Sequence, residues 1–432
     1  MELYSTKHSV DNVSFEKAVF KGLPDDNGLY MPTEIPKLPQ EFFDTIEAKS
    51  FPEIAFEVSN ALIGDEIPAE DLKVIIDDAV NFEAPVVNIH DNINVLELFH
   101  GPSFAFKDFG ARFMSRVMSY FLKKSEKEIN ILVATSGDTG SAVGHGFLGV
   151  DGIKVTILYP SGKVSNTQEK QLTTLGQNIT ALEVDGVFDD CQTLVKTAFL
   201  DSELTAQLNL SSANSINIAR LIPQSFYYFW TYAQLKKQGK PVVFCVPSGN
   251  FGNICGGLIA SKMGLPVEKF IAATNVNDIV PHYLTSGLFE PKSSIATISN
   301  AMDVGNPSNF PRMIALYGND YDKVVSHIVG KTYNDDQTKE AMKAIYDKYG
   351  YVMCPHTAIA YLGLTEYMKE SGSNANGVLL STAHPAKFDT VVDPILGITI
   401  GLPEHLKEIN AKEKVATPMK ADFNAFKELL LS

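Results

Sequence analysis

The sequence predicts an α/β fold built on a mostly parallel sheet, and three observations carry that prediction. Short apolar, β-rich runs recur at 129–134, 153–159, 179–184, 242–246, 270–274 and 378–380. Helix-spaced stretches separate most of them: after Lys107, after Gly140, and over about 188–200, 215–236, 254–263 and 357–369. Strands that alternate with helices run parallel, because each helical crossover returns the chain to the end of the sheet it started from. The runs are also apolar throughout instead of alternating with polar residues, as strands covered on both faces are.

Residues 1 to about 90 read as a separate block. It holds a proline-rich extended piece, GLYMPTEIPKLPQ, followed by helix-like spacing around 40–62 and 69–81. Pro85 and the polar stretch from Asn88 to Asn92 mark its end. The 432 residues are 45% hydrophobic and 20% charged, the composition of a globular chain of two or three domains. A net charge of −15 argues against nucleic acid and anionic membrane surfaces, both of which need clustered cations. Cys191, Cys245, Cys255 and Cys354 form no CxxC pair and sit among apolar or small residues. Reduced thiols fit that pattern better than a disulfide framework or a metal site. The opening MELYSTKHSVDNVSF lacks an apolar signal core, and no run is long enough to span a bilayer. A cytoplasmic protein is expected.

In such sheets ligands bind where strand ends lead into helices, and two glycine-rich loops occupy those places. After 129–134 comes ATSGDTGSAVG, in which Ser136, Asp138 and Thr139 supply polar groups and Gly137 and Gly140 admit a close ligand. Anion binding and simple helix capping explain this loop equally well. After 242–246 comes PSGNFGNICGG, where glycines surround Asn250, Phe251 and Asn253. That composition suits a nest of N–H groups around a phosphate, or a tight turn with close helix packing. GHGFLG at 144–149 matches G-x-G-x-x-G but falls within or at the end of a helix, so it is not a dinucleotide fingerprint. NSINIAR, ending at Arg220, offers Ser215, Asn217 and a fork-shaped cation to an anion, or else caps and a solvated arginine. STAHPAKF places Ser381 and Thr382 at a strand end, with His384 and Lys387 second among its candidates. Finally, Lys107 in LELFHGPSFAFKDFGARF is a single lysine among Phe104, Phe106, Phe109 and Phe113. A lysine desolvated by such neighbours becomes an amine nucleophile; one that snorkels over the rings does not.

Together these pieces resemble the fold-type II pyridoxal-phosphate enzymes, and within them the threonine synthase branch. HGPSFAFKDFG is similar to the family's cofactor-lysine motif, SGDTG to its substrate-carboxylate loop and SGNFGN to its cofactor-phosphate loop. NSINIAR and TAHPAKF resemble two further signatures in the family's order, and YSTK with GLYMP resembles the branch's N-terminal domain. The resemblance spans nearly the whole chain.

It implies two open, twisted α/β lobes with mostly parallel sheets plus a smaller N-terminal α+β domain. The domain would take residues 1–90, a large cofactor lobe 91–111 and 236–432, and a smaller mobile lobe 112–235. Lys107 would join pyridoxal 5′-phosphate as a Schiff base and then shuttle protons. Gly249, Asn250, Phe251, Gly252 and Asn253 would hold the cofactor phosphate. Thr382 would hydrogen-bond the pyridine nitrogen and leave it largely unprotonated. Ser136, Asp138 and Thr139 would face the substrate's carboxylate or reacting end. Ser215, Asn217 and Arg220, with Lys163, would bind the phosphate of O-phospho-L-homoserine. The implied reaction turns that substrate and water into L-threonine and phosphate, with the phenylalanines and lobe closure keeping stray water out. A monomer or homodimer is implied, without a metal and without control by S-adenosylmethionine. A dehydratase or phospholyase that yields a 2-oxo acid is the alternative on the same fold. Lys107 and the two glycine loops together speak against a mere binding module.

Overall fold

The computed structural model describes residues 1–123 and 128–431. In chain order its strands are β1 (Glu2–Ser5), β2 (Val13–Ser14), β3 (Tyr30–Pro32), β4 (Val86–His90), β5 (Ile93–Glu97), β6 (Ile129–Ala134) and β7 (Ile153–Pro160). There follow β8 (Ile179–Asp185), β9 (Asn209–Ser212), β10 (Val242–Pro247), β11 (Val267–Thr274), β12 (Ile328–Thr332), β13 (Asn376–Ser381) and β14 (Thr417–Lys420). Among the described residues three sheets result. A small antiparallel one runs β2–β1–β3. A six-stranded one runs β12–β11–β10–β13–β5–β4 and is parallel except for the β4–β5 pair. A five-stranded one runs β14–β8–β7–β6–β9 and is parallel throughout.

The six apolar runs all became strands of the two parallel sheets. Every residue of β10 and of β13 is buried, as continuous apolar strands under helices on both faces must be. Local chemistry fixes several helix ends. Ser50 and Glu53 form a reciprocal capping box before helix Phe51–Ile63, with a proline in its first turn. The stretch 215–236 is not one helix: it divides into Ile218–Leu221, a 3₁₀ piece at Ile222–Ser225 and Phe226–Leu235. Pro223 lies at the break and cannot donate to a continuous ladder.

The sheets divide the chain differently from the expected lobes at two places. The polar stretch after Pro85 is not a linker but the bend between β4 and β5, with Asp91 at φ 44°; β4 therefore belongs to the six-stranded sheet. Near the other end, β14 pairs with β8, so residues 417–420 complete the smaller sheet instead of the large lobe. Helix Phe423–Leu431 follows it there, burying Phe426 with Leu194 and Val195 of helix Phe188–Leu200.

The carboxyl ends of β6, β10 and β13 lead into the SGDTG loop, the SGNFGN loop and Thr382 respectively. The loop that carries Lys107 is fastened beside them: Phe106 N donates to the Thr382 carbonyl at 2.9 Å, and Ala105 bridges Ala383. Among the described residues no helix is long and apolar enough to cross a membrane, and no cluster of His, Cys, Asp or Glu could hold a metal ion.

Candidate active site

One cleft brings most of the singled-out residues together. Lys107, Asp138, Thr139, Ser215, Arg220 and Thr382 line it, and so does the whole stretch from Gly249 to Asn253. Lys107 is the first residue of helix Lys107–Leu122. Among the described residues no hydrogen bond or ion pair holds its Nζ. Burial brings its pKa down to about 8; Asp138 opposes that shift, and Lys387 and Arg220 add to it. The result is an amine about a tenth neutral at pH 7, far more than an ordinary lysine would be.

The SGDTG turn is held from within. Thr135 Oγ1 accepts from the amides of Gly137 at 3.0 Å and Gly140 at 2.9 Å. Gly137 has φ 134°, and a Cβ there would meet the Gln168 side chain at 2.5 Å, so only glycine fits. Asp138 opens helix Asp138–Phe147. Its Oδ1 accepts from Lys387 Nζ at 2.8 Å and from Gln168 Nε2 at 2.9 Å. Burial alone would raise its pKa, but the charges of Lys387 and Lys107 hold it well below the usual carboxylate range.

The SGNFGN loop enters helix Gly252–Lys262 through Phe251, at φ 61°, with no side chain capping the helix. First-turn amides have no partner inside a helix, and with the helix dipole they favour an anion. Gly249 is pressed against the opposite wall: a Cβ would lie 2.7 Å from the Ala301 carbonyl oxygen and 2.9 Å from Met302 Cα. Gly249→Ala is therefore expected to displace the loop and weaken pyridoxal phosphate at least tenfold, measured by absorbance titration of the apo-protein; unchanged affinity would refute the cradle. Asn253 Oδ1 accepts from the hydroxyls of Tyr227 at 2.7 Å and Tyr228 at 2.9 Å, while its Nδ2 is buried without a partner.

Arg220 is 2% exposed. One Nη donates to the Ala213 carbonyl, and Nε has no partner. Burial lowers its pKa to about 10 against the pull of Asp108. A buried cation without an anion is costly, and here its side chain borders a cleft. Asn217 and Ser136 do not line the cleft. Asn217 is fully buried, its Oδ1 capping Ala219 N at 3.0 Å and its Nδ2 tied to the Val19 carbonyl at 2.8 Å. Ser136 is half-buried in the turn, and Lys163 is exposed beyond the end of β7.

The phenylalanines play a different part from the expected one. Of the four around Lys107, Phe106 alone lines the cleft among the described residues. Phe109 and Phe113 follow Lys107 by two and six residues, which places them across the helix from it at about 100° per residue. Phe109 packs on Phe82 with ring centroids 4.6 Å apart, and Phe113 on Phe226 at 5.8 Å. They are core. Two residues that sequence reasoning ranked low or missed also border the site. Lys387 is fully buried behind Asp138. His356 lines the cleft; its Nε2 accepts from Ala301 N at 3.2 Å, and burial lowers its pKa to about 4, so it is neutral and fixed. No local motif announces His356, whereas Lys387 sits in a motif whose buried partner is distant in sequence.

Comparison with known proteins agrees with this geometry. The chain matches the family model of pyridoxal-phosphate dependent enzymes over residues 89–382, and models of the threonine synthase N terminus and C-terminal region over 2–80 and 357–430. It is 45% identical to threonine synthase of Haemophilus influenzae and 44% identical to that of Escherichia coli, with 100% of both chains covered in each case. The crystal structure of the Escherichia coli enzyme superposes with a TM-score of 0.92, covering 100% of this chain and 99% of that one. Pyridoxal-phosphate-bound threonine synthase from Brucella melitensis, 36% identical, gives 0.93 over 100% and 98%. The cleft itself fits that cofactor. It offers an unpartnered, half-buried amine for an aldehyde, an uncapped helix start beside a glycine cradle for a phosphate, and an orphan Asn253 donor. The chain belongs to the threonine synthase family of pyridoxal-phosphate-dependent enzymes.

Proposed function

We propose that the protein converts O-phospho-L-homoserine and water to L-threonine and phosphate by γ-elimination and β-addition of water. The observation that carries this reading is one cleft that holds an unpartnered lysine together with two anion-seeking walls, the helix start at Gly252 and the buried Arg220 beside Ser215. Two such walls suit two phosphates, one on the cofactor and one on the substrate.

Bound there, pyridoxal phosphate supplies an electron sink that acidifies the substrate's Cα and then Cβ, so that phosphate can leave from Cγ. Lys107 holds the cofactor. Freed by substrate, its neutral Nζ takes and returns protons at the substrate carbons, a task its lowered pKa suits. Backbone amides from Gly249 to Asn253 hold the cofactor phosphate, and the Thr382 hydroxyl orients the ring. Asp138 and Thr139 form the wall for the substrate carboxylate, and Ser136 belongs to the turn that carries them. Arg220 and Ser215 bind the leaving phosphate, for which a guanidinium fork is well matched. Asn217 acts indirectly, by capping the turn that carries Arg220. Burial of Asp138, Arg220, Asn253 and His356 limits the water that could divert reactive intermediates.

The reading includes a cytoplasmic location, supported by four buried free thiols, and a monomer or homodimer. Its test is a product assay. Holoenzyme incubated with O-phosphohomoserine is expected to release phosphate and threonine in equal amounts; phosphate accompanied by 2-oxobutyrate would overturn the reading in favour of a phospholyase.

A further inference from the structure

An aspartate is an odd residue to find in a wall that faces a carboxylate. Two unit negative charges about 4 Å apart repel by roughly 4 kcal/mol even at an effective dielectric constant near 20. Asp138 nevertheless borders the cleft and, to judge from its depressed pKa, is ionised. The structure holds a counter-charge directly behind it. Lys387 is 0% exposed, and its Nζ donates to Asp138 Oδ1 at 2.8 Å and to the Ser103 carbonyl at 2.7 Å. Gln168 Nε2 is a second donor to the same oxygen, and Gln171 Nε2 reaches the same Ser103 carbonyl at 3.1 Å. One buried cation thus joins three segments: the SGDTG loop after β6, the loop that leads to Lys107, and the piece of chain after β13.

Lys107 is the other cation that acts on Asp138. Once Lys107 is committed to the cofactor its positive charge no longer faces Asp138 alone, and Lys387 is the direct ion-pair partner that remains. We propose that Lys387 is a positioning residue that keeps Asp138 charge-balanced, so that the SGDTG loop accepts the α-carboxylate of an amino-acid substrate. The inference rests on the reading of that loop as the carboxylate wall. It also explains why so much burial is spent on a lysine that does not line the cleft.

A charge-balance cycle on the holoenzyme tests it. Lys387→Met, Asp138→Asn and the double variant are titrated with L-threonine, with the visible absorption of the bound cofactor as the signal. KM and kcat for phosphate release from O-phosphohomoserine are measured in parallel. Lys387→Met leaves an unpaired anion in the wall and is expected to weaken L-threonine at least tenfold and to raise KM more than it lowers kcat. Removing both charges is expected to restore L-threonine affinity to within threefold of Asp138→Asn. A pair that served only as a structural latch would leave the double variant as weak as Lys387→Met, or weaker, and that outcome overturns the inference. If Lys387→Met does not fold, the comparison of the double variant with Asp138→Asn decides alone by the same threefold criterion. Thr139→Val separates the two readings. Unchanged L-threonine affinity there overturns the carboxylate wall and with it this inference. A weakened Thr139→Val beside an unrescued double variant overturns the inference only.

Discussion

Lys107→Ala is expected to reduce phosphate release from O-phosphohomoserine by at least about a thousandfold, since it removes both the covalent anchor and the proton carrier. Borohydride treatment of the wild-type holoenzyme should fix the cofactor on Lys107, and the variant should take no label. Turnover within tenfold of wild type would sink the assignment. The same residue makes a second, less obvious prediction for the apo-protein. Its folded pKa of about 8 lies below the ordinary lysine value, so between about pH 8 and 10.5 the unfolded chain binds the extra proton and stability rises with pH. Below pH 8 the full penalty of a desolvated ammonium remains. Apo Lys107→Met should therefore have a higher Tm than apo wild type at pH 7, with the advantage fading as pH is raised toward 10.5. A Tm difference independent of pH would show that desolvation of this amine is not its cause.

Arg220→Ala is expected to weaken O-phosphohomoserine roughly a hundredfold or more, the scale of losing one partner from a buried, hydrogen-bonded charge pair. L-threonine, which carries no phosphate, should bind within threefold of wild type. Because Arg220 has an orphan Nε and a single carbonyl partner in the free protein, the loss should fall mainly on phosphorylated ligands and only lightly on folding. Arg220→Met, which keeps much of the volume, should show the same selectivity. Equal loss for both ligands would refute the phosphate role of Arg220.

The parallel sheets were legible in the sequence because burial on both faces leaves its mark in uninterrupted apolar runs, as in 129–134, which became β6 without a shift at either end. What escaped lies mostly at edges or in contacts between distant residues. β9 and β14, with the sequences NLSS and TPMK, are polar edge strands whose pairing is decided by a neighbour far along the chain. β5 hid behind Asn88 to Asn92, a polar cluster that serves equally for a linker or for a tight bend, and only the pairing of Val87 with Val95 tells which. At the site, loops at strand ends were readable from their glycines, since backbone that must approach a ligand or another chain segment excludes a Cβ. The place of Phe109 and Phe113 was not readable, because nearness in sequence says nothing about which side of a helix faces the cleft. Nor was the burial of Lys387, whose partner Asp138 lies 249 positions earlier in the chain (387 − 138). A long-range ion pair leaves no local spacing to recognise.

The return of β14 to β8 has a consequence for how the molecule is made. Strands β6 to β9 are all synthesised by residue 212, yet the outer edge of β8 stays unpaired until residues 417–420 leave the ribosome. At translation rates of about 5–20 residues per second that wait lasts roughly 10–50 s. During it a nascent chain displays an open strand edge beside the apolar side chains that Met419 and Phe426 later cover, the kind of surface that recruits other chains. Chains cut before residue 417 should thus sediment as aggregates on expression, whereas a soluble truncated product would show that β8 tolerates its vigil alone.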